Sequence, residues 1–402
     1  MTAHPPWPHG LLDVPALRAA GHRPHPFRQY VLKVYSRCNL ACDYCYVYEM
    51  ADQGWQRQPS LMSSRIVGAS VARIAEHVRA HELPAIKVTL HGGEPLLAGA
   101  AFVEDVATRL RGALPPWAAA DLVVQTNGTR LNEAMLGVLL RNGIRVGVSL
   151  DGDRAATGRH RLYPNGRSSH DAVERALTLL RAEPYRAVYA GLLCTVSLDN
   201  DPVRTYESLL AHAPPVIDFL LPHGTWSAPP PLRSQDAATP YADWLLEVFR
   251  RWTAPARPET SIRLFAGVIA GILGGPSGTE ALGLAPADTI VIDTDGAIKQ
   301  VDTLAAAYED AAETGCNVVE HELDAVLDHP TTVARQLGVS GLSPVCQACR
   351  VVGICGGGYY PHRYQAREGF LNPSVYCPDL LRLITVIREY VAAEVARLTR
   401  AS

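Results

Sequence analysis

From Phe27 onward the chain alternates short apolar runs with longer amphipathic ones, so the hydrophobic period switches between two and 3.6 residues. Tyr30, Leu32 and Val34 alternate as a first strand. Ser63 and Ser64 can then cap a helix running to about His81, with Ile66, Val67, Val71, Ile74 and Val78 on one face. The pattern repeats: strands are expected at 86–90, 122–125, 146–150, 188–196 and 217–221, and helices at 102–114, 132–141, 171–181 and 203–211. Six βα units joined by short loops imply parallel strands, which right-handed crossovers curl into a barrel. The predicted fold class is α/β, a partial (β/α)6 barrel of the TIM type over residues 27–235.

Residues 1–26 carry Pro5, Pro6, Pro8, Pro24 and Pro26 among several histidines and are expected to be an extended arm, because each proline disfavours helix before it. After the sixth strand, the stretch 222–231 breaks regular structure, and helices at 240–252 and 261–273 form a bridge assigned to 236–285. Residues 289–301 alternate on both sides of Asp295-Gly296, the signature of a hairpin. It opens a last module, 286–402, that closes with a helix to about Leu398.

Composition narrows the function. With 402 residues, 48% hydrophobic and 19% charged, the chain has ample core, and its formal charge of −3 argues against partners bound by phosphate neutralisation. Neither a secretory signal nor the run of about 18 apolar residues that a membrane helix needs is visible, so a cytoplasmic protein without membrane or nucleic-acid partners is expected. In that compartment thiols stay reduced, and nine cysteines, seven of them in two groups, read as metal or redox chemistry before disulfides.

The first group is Cys38, Cys42 and Cys45, directly after the first strand. Bridges between thiols this close in sequence would be strained, so the three are read as ligands. A structural metal normally takes four protein ligands, and three leave one position open for a substrate. A zinc knuckle that borrows a fourth ligand is the other reading.

The C-x3-C-x2-C spacing followed by an aromatic residue, Tyr46, resembles the signature of the radical S-adenosylmethionine (SAM) enzymes. The resemblance implies a [4Fe–4S] cluster whose open iron chelates SAM and cleaves it to a 5′-deoxyadenosyl radical. After the second strand, His91-Gly92-Gly93-Glu94-Pro95 matches the family's GGEP motif, which implies that Glu94 meets the SAM amino group. Asn127 follows the third strand, and Ser149 and Asp151 the fourth, where they suit ribose hydroxyls and a carboxylate. An Asn-Gly or Asp-Gly pair alone is an ordinary turn, and their recurrence after successive strands is what points to a ligand. The implied cofactor-binding set is Tyr44, Tyr46, Gly92, Gly93, Glu94, Asn127, Ser149 and Asp151.

The second group, Cys346, Cys349, Cys355 and Cys377, completes one tetrahedral thiolate set for zinc or an iron–sulfur cluster. Beside the first motif it resembles the SPASM extension of radical SAM peptide-modifying enzymes, which implies one auxiliary [4Fe–4S] cluster. A full SPASM module has further cysteines where this chain has Val301-Asp302-Thr303 and Tyr359, so a second auxiliary cluster is not expected. Cys316 is expected to be a free thiol and Cys194 a buried apolar residue.

Within the SPASM group, segments such as Asp218–Pro222, Cys355–Tyr359 and Asn372–Cys377 look most like the FxsB-type maturases of ribosomal peptides. That implies a precursor peptide as substrate, a ferredoxin- or flavodoxin-type external electron donor, and a C–C cross-link between an aromatic ring and a nearby Cβ, giving a three-residue cyclophane. The proton released then needs a base, for which Asp153, Asp218 and Asp302 are candidates by position. Thioether formation and sulfatase maturation are the rival chemistries, and a zinc-binding adaptor is the non-enzymatic alternative.

Overall fold

The computed structural model describes residues 12–231 and 238–401. Ten strands form one sheet: β1 (Gln29–Tyr35), β2 (Ala85–Gly92), β3 (Ala119–Thr126), β4 (Arg145–Ser149), β5 (Tyr189–Thr195), β6 (Val216–Leu220), β7 (Ser261–Ile262), β8 (Thr289–Ile292), β9 (Ala297–Lys299) and β10 (Glu313–Asn317). Their order is β10-β9-β8-β1-β2-β3-β4-β5-β6-β7. Strands β1 to β7 are parallel neighbours in chain order, which is the expected αβ winding, and the sheet ends at β10 and β7 without closing. The fold is therefore a partial barrel.

The helices follow from their caps and apolar faces. Ser63 Oγ accepts from Ile66 N at 3.3 Å and starts helix Ser64–Ala80, which buries Ile66, Val67, Val71, Ile74 and Val78 against the sheet. Asn132 caps helix Glu133–Arg141 in the same way through Met135 N, at 2.9 Å. Asp379 Oδ1, from the last helix Cys377–Ala401, accepts from Tyr241 N and Ala242 N at 3.0 Å each and so caps helix Pro240–Thr253. The two helices also meet edge to face through Phe249 and Tyr390, 5.2 Å apart.

Four expectations change. A helix at Arg154–His160 follows β4 directly, started by Asp153, whose Oδ1 accepts from Ala156 N at 2.9 Å. Ser261–Ile262 is strand rather than helix, because it continues the sheet by pairing with Val216 and Ile217 before helix Arg263–Ile272 begins. The hairpin of 289–301 is not separate from the barrel: β8 pairs in parallel with β1 from Gln29↔Thr289 to Leu32↔Ile292, which buries Ile290 and Ile292 completely. The N-terminal arm is not extended throughout, for Asp13 caps a short helix, Val14–Ala19, with Pro15 in its first turn where no N–H is needed. The arm's His4 and His9 lie outside the described residues.

Candidate active site

The carboxyl ends of β1 to β6 converge on a cavity with about 980 Å³ of open space. Its wall includes Cys38, Cys42 and Cys45, together with Tyr44, Tyr46, Gly92, Gly93, Asn127 and Ser149. Backbone contacts shape the cysteine loop: Cys45 N donates to Cys42 O at 3.1 Å, and Ala41 N to Leu162 O at 2.7 Å. Leu40 N and Asn127 Nδ2 both point at Cys38 Sγ, at 3.4 and 3.6 Å. Burial pushes the Cys38 thiol up to about 11 and Cys42 up to about 12, although Arg161 opposes the second shift. Three reduced cysteines on one wall, with amide donors aimed at sulfur, suit a bound metal cluster.

The glycines of the β2 loop serve packing as much as ligand approach. A Cβ on Gly93 would lie 1.9 Å from Tyr48 Oη and 2.4 Å from Arg37 O, because the cysteine loop crosses directly over it. Gly93 N donates to Tyr35 O at 2.8 Å, locking the two loops together.

Two residues of the cofactor set stand behind the wall. Glu94 is fully buried, and its carboxylate accepts from Thr126 Oγ1 at 2.7 Å, Asn127 N at 2.8 Å and Leu96 N at 3.0 Å. Burial raises its pKa against the lowering effect of those donors. Its side chain braces the β2 and β3 loops instead of facing the cavity. Asp151 is 1% exposed and accepts from the Tyr44 hydroxyl and, at 3.1 Å, from Thr195 N. The hydroxyl of Tyr44 in turn accepts from Arg161 Nη1 at 2.8 Å.

Arg161 is the cavity residue that the sequence reading missed. It lines the wall and is 7% exposed, and its Nε has no hydrogen-bond partner among the described residues. Nothing in the sequence marks it, since it follows a helix that hydrophobic periodicity does not reveal. A buried guanidinium with an unused N–H on a cavity wall is suited to a carboxylate.

A second cavity, with about 1440 Å³ of open space, adjoins the first, and Tyr46, His91, Leu193, Leu220, Leu221 and His223 line both. His223 thus lies on a cavity wall, while Trp226, whose Nε1 donates to Pro373 O at 2.7 Å, lines neither. The three candidate bases separate here. Asp153 is a helix cap paired with Arg204 at 2.6 Å and lines neither cavity, so its geometry is that of a structural residue. Asp218 lies on the second cavity's wall, bound to Arg263 at 3.0 Å, and burial raises its pKa. Asp302 Oδ2 accepts from the Tyr46 hydroxyl at 3.0 Å, with His91 Nδ1 at 3.9 Å and Lys33 Nζ at 3.8 Å.

The second cysteine group also converges. Cys346, Cys349, Cys355 and Cys377 line one recess of about 700 Å³ with Val345, Val351, Val352 and Leu381. Burial pushes the Cys355 thiol up to about 12. Gly356 allows the turn after Cys355: its φ is +62°, and a Cβ there would lie 1.7 Å from Gly283 O. Cys316, on β10, is outside this recess, and Cys194 is completely buried in the core. At the positions where the SPASM resemblance has further cysteines, Tyr359 and Thr303 are hydrogen-bonded to each other at 2.6 Å.

The fold and the three-thiol cavity define the class. Residues 32–209 match the family model of the Radical SAM superfamily, and the protein is an enzyme with a [4Fe–4S] cluster and SAM as cofactors. Among curated proteins, the serine-type anaerobic sulfatase-maturating enzyme of Klebsiella aerogenes is 25% identical over 384 residues, 91% of this chain and 89% of that protein. The cysteine-type enzyme of Clostridium perfringens is 24% identical over 353 residues, 85% and 91% of the two chains. The solved structure of native anSMEcpe with bound AdoMet and Cp18Cys peptide superposes with a TM-score of 0.76 at 21% identity, covering 94% of this chain and 99% of that one. Streptococcus suis SuiB bound to precursor peptide SuiA gives 0.58 at 12% identity, covering 89% and 77%. These two likenesses are of fold.

Proposed function

We propose that the protein oxidises a side-chain carbon of a peptide, and that the product is a cross-link from an aromatic ring to the Cβ of a nearby residue. The observation that carries the peptide reading is the pair of adjoining cavities, one ending on three cysteines and the other wide enough for a bent peptide segment. Cys38, Cys42 and Cys45 hold the cluster, and Arg161, whose Nε has no partner among the described residues, faces the SAM carboxylate. When bound, cluster and SAM supply a 5′-deoxyadenosyl radical, which removes a hydrogen atom from the substrate. The four cysteines of the second recess hold the auxiliary cluster, with the half-buried Arg363 close to Cys346 and Cys355.

Tyr46 reaches the substrate cavity and hands its hydroxyl proton to Asp302, so a substrate proton taken up on the phenol oxygen moves to the carboxylate while the phenol stays neutral. Lys33 Nζ lies 3.8 Å from that carboxylate.

A second reading, oxidation of a serine or cysteine side chain to an aldehyde, is favoured by the sulfatase-maturating relatives that span about nine-tenths of this chain. Reconstituted protein incubated with SAM, a reductant and candidate precursor peptides separates the two. Loss of two hydrogens with no hydrazide-reactive carbonyl supports the cross-link, and an aldehyde supports the second reading. Iron-free, colourless protein that does not cleave SAM would sink both and leave a zinc adaptor.

A further inference from the structure

Asp302 lines neither of the two cavities; it lines a third recess, of about 490 Å³, together with Lys33, Asp293 and Lys299. These are buried ions: Lys33 is 8% exposed, Asp293 2% and Lys299 7%. They form two groups on the recess wall. Lys33 Nζ lies 3.8 Å from Asp302, Lys299 Nζ lies 3.0 Å from Asp293 Oδ2, and the same ammonium lies 2.7 Å from Glu313 Oε1. Glu313 is on β10 at the edge of the sheet, with its side chain about one-third exposed. The recess therefore has the Tyr46–Asp302 pair on the side of the substrate cavity and the Lys299–Glu313 pair toward the sheet edge and solvent.

Burying ions is costly, and β8 is already joined to β1 on one side and to β9 on the other by ladder hydrogen bonds that need no charges. Ser36, Asp52, Gln58 and Trp55 also line the recess, and Ala305 and Ala312 leave space where larger side chains would fill it. Polar lining of this kind is what holds water inside a protein.

We propose that this recess is the exit path for the proton that substrate oxidation releases. The inference rests on the reading of Asp302 as proton acceptor. In that oxidation a C–H hydrogen atom goes to the 5′-deoxyadenosyl radical, one electron goes to an iron–sulfur cluster as oxidant, and one proton remains to be removed. It passes from Asp302 to water in the recess and leaves past Lys299 and Glu313. The groups facing Asp302 are Tyr46 from the cysteine loop, Lys33 from β1 and His91 from β2, with His223 and Tyr359 further off.

The test uses the full chain. Ala312→Leu fills the recess without touching a charge, and Lys299→Gln removes a charge while keeping hydrogen-bonding capacity toward Asp293 and Glu313. In reconstituted protein both are expected to form 5′-deoxyadenosine normally but to yield about tenfold less product per 5′-deoxyadenosine, with a larger solvent deuterium isotope effect. An unchanged product ratio and isotope effect in both Ala312→Leu and Lys299→Gln overturns the exit path. An unchanged product ratio in Asp302→Asn overturns the acceptor reading itself, which is a separate failure.

Discussion

Arg161 keeps its charge where water scarcely reaches, and burial, which disfavours the ion, is outweighed by Tyr44, Asp151 and Cys42 around it. If its free Nε–H holds the SAM carboxylate, Arg161→Leu should weaken SAM binding about tenfold or more, the loss of one charge-assisted hydrogen bond of about 1.5–3 kcal/mol. Equilibrium binding of SAM to reconstituted protein measures it, and unaltered affinity rejects the assignment. Asp153 makes the opposite case. By sequence it is a carboxylate at a strand end, yet it starts a helix that the hydrophobic pattern did not reveal. Asp153→Ala should cost about 1 kcal/mol of stability as a lost cap, seen in thermal melts, while product formed per 5′-deoxyadenosine stays unchanged. Residue type and position could not separate Asp153, Asp218 and Asp302, because the difference lies in what each carboxylate touches.

At the scale of elements, spacing was informative because it follows from short-range geometry. Three cysteines within eight residues must share a loop, and a loop after β1 must open at the barrel's carboxyl face. The two sets should load independently: Cys42→Ala and Cys355→Ala should each lower bound iron by about four atoms per chain, measured by iron analysis and the brown absorbance. If Cys355→Ala removes zinc and leaves iron unchanged, the second set is a zinc site. The β2 loop is less tolerant than its motif suggests. Gly93→Ala would place a methyl against Tyr48 Oη and Arg37 O, so it should lower the melting temperature even in metal-free protein, by overpacking of about 1–3 kcal/mol.

For the whole molecule, the same burial that builds the cavities sets a pH limit. Burial lowers the pKa of His77, His91, His362 and His223, the last to about 4. The unfolded chain takes up these protons near pH 6.5, the folded one only below that. The stabilisation of the neutral rings is therefore complete above about 6.5 and is lost as pH falls toward their folded values. Melting temperature of the metal-free protein should drop between about pH 7 and pH 5, and His362→Phe should flatten that slope. A pH-independent melt would contradict the burial of these rings. No described helix is long and apolar enough to cross a membrane.

The chain's own pattern determined the strand–helix alternation, the parallel winding, the strand ends that open on the cavity, and both cysteine sets, because periodicity and spacing are local and survive without knowledge of neighbours. Only the tertiary structure decided that β8 extends the barrel sheet, that Glu94 and Asp151 brace the wall from behind, that Arg161 enters the first cavity's wall, and that Asp302 and the buried lysines share one recess. Those outcomes depend on which distant segments pack together: β8 and β1 are separated by more than 250 residues along the chain and are hydrogen-bonded in space. No periodicity along the sequence encodes that meeting.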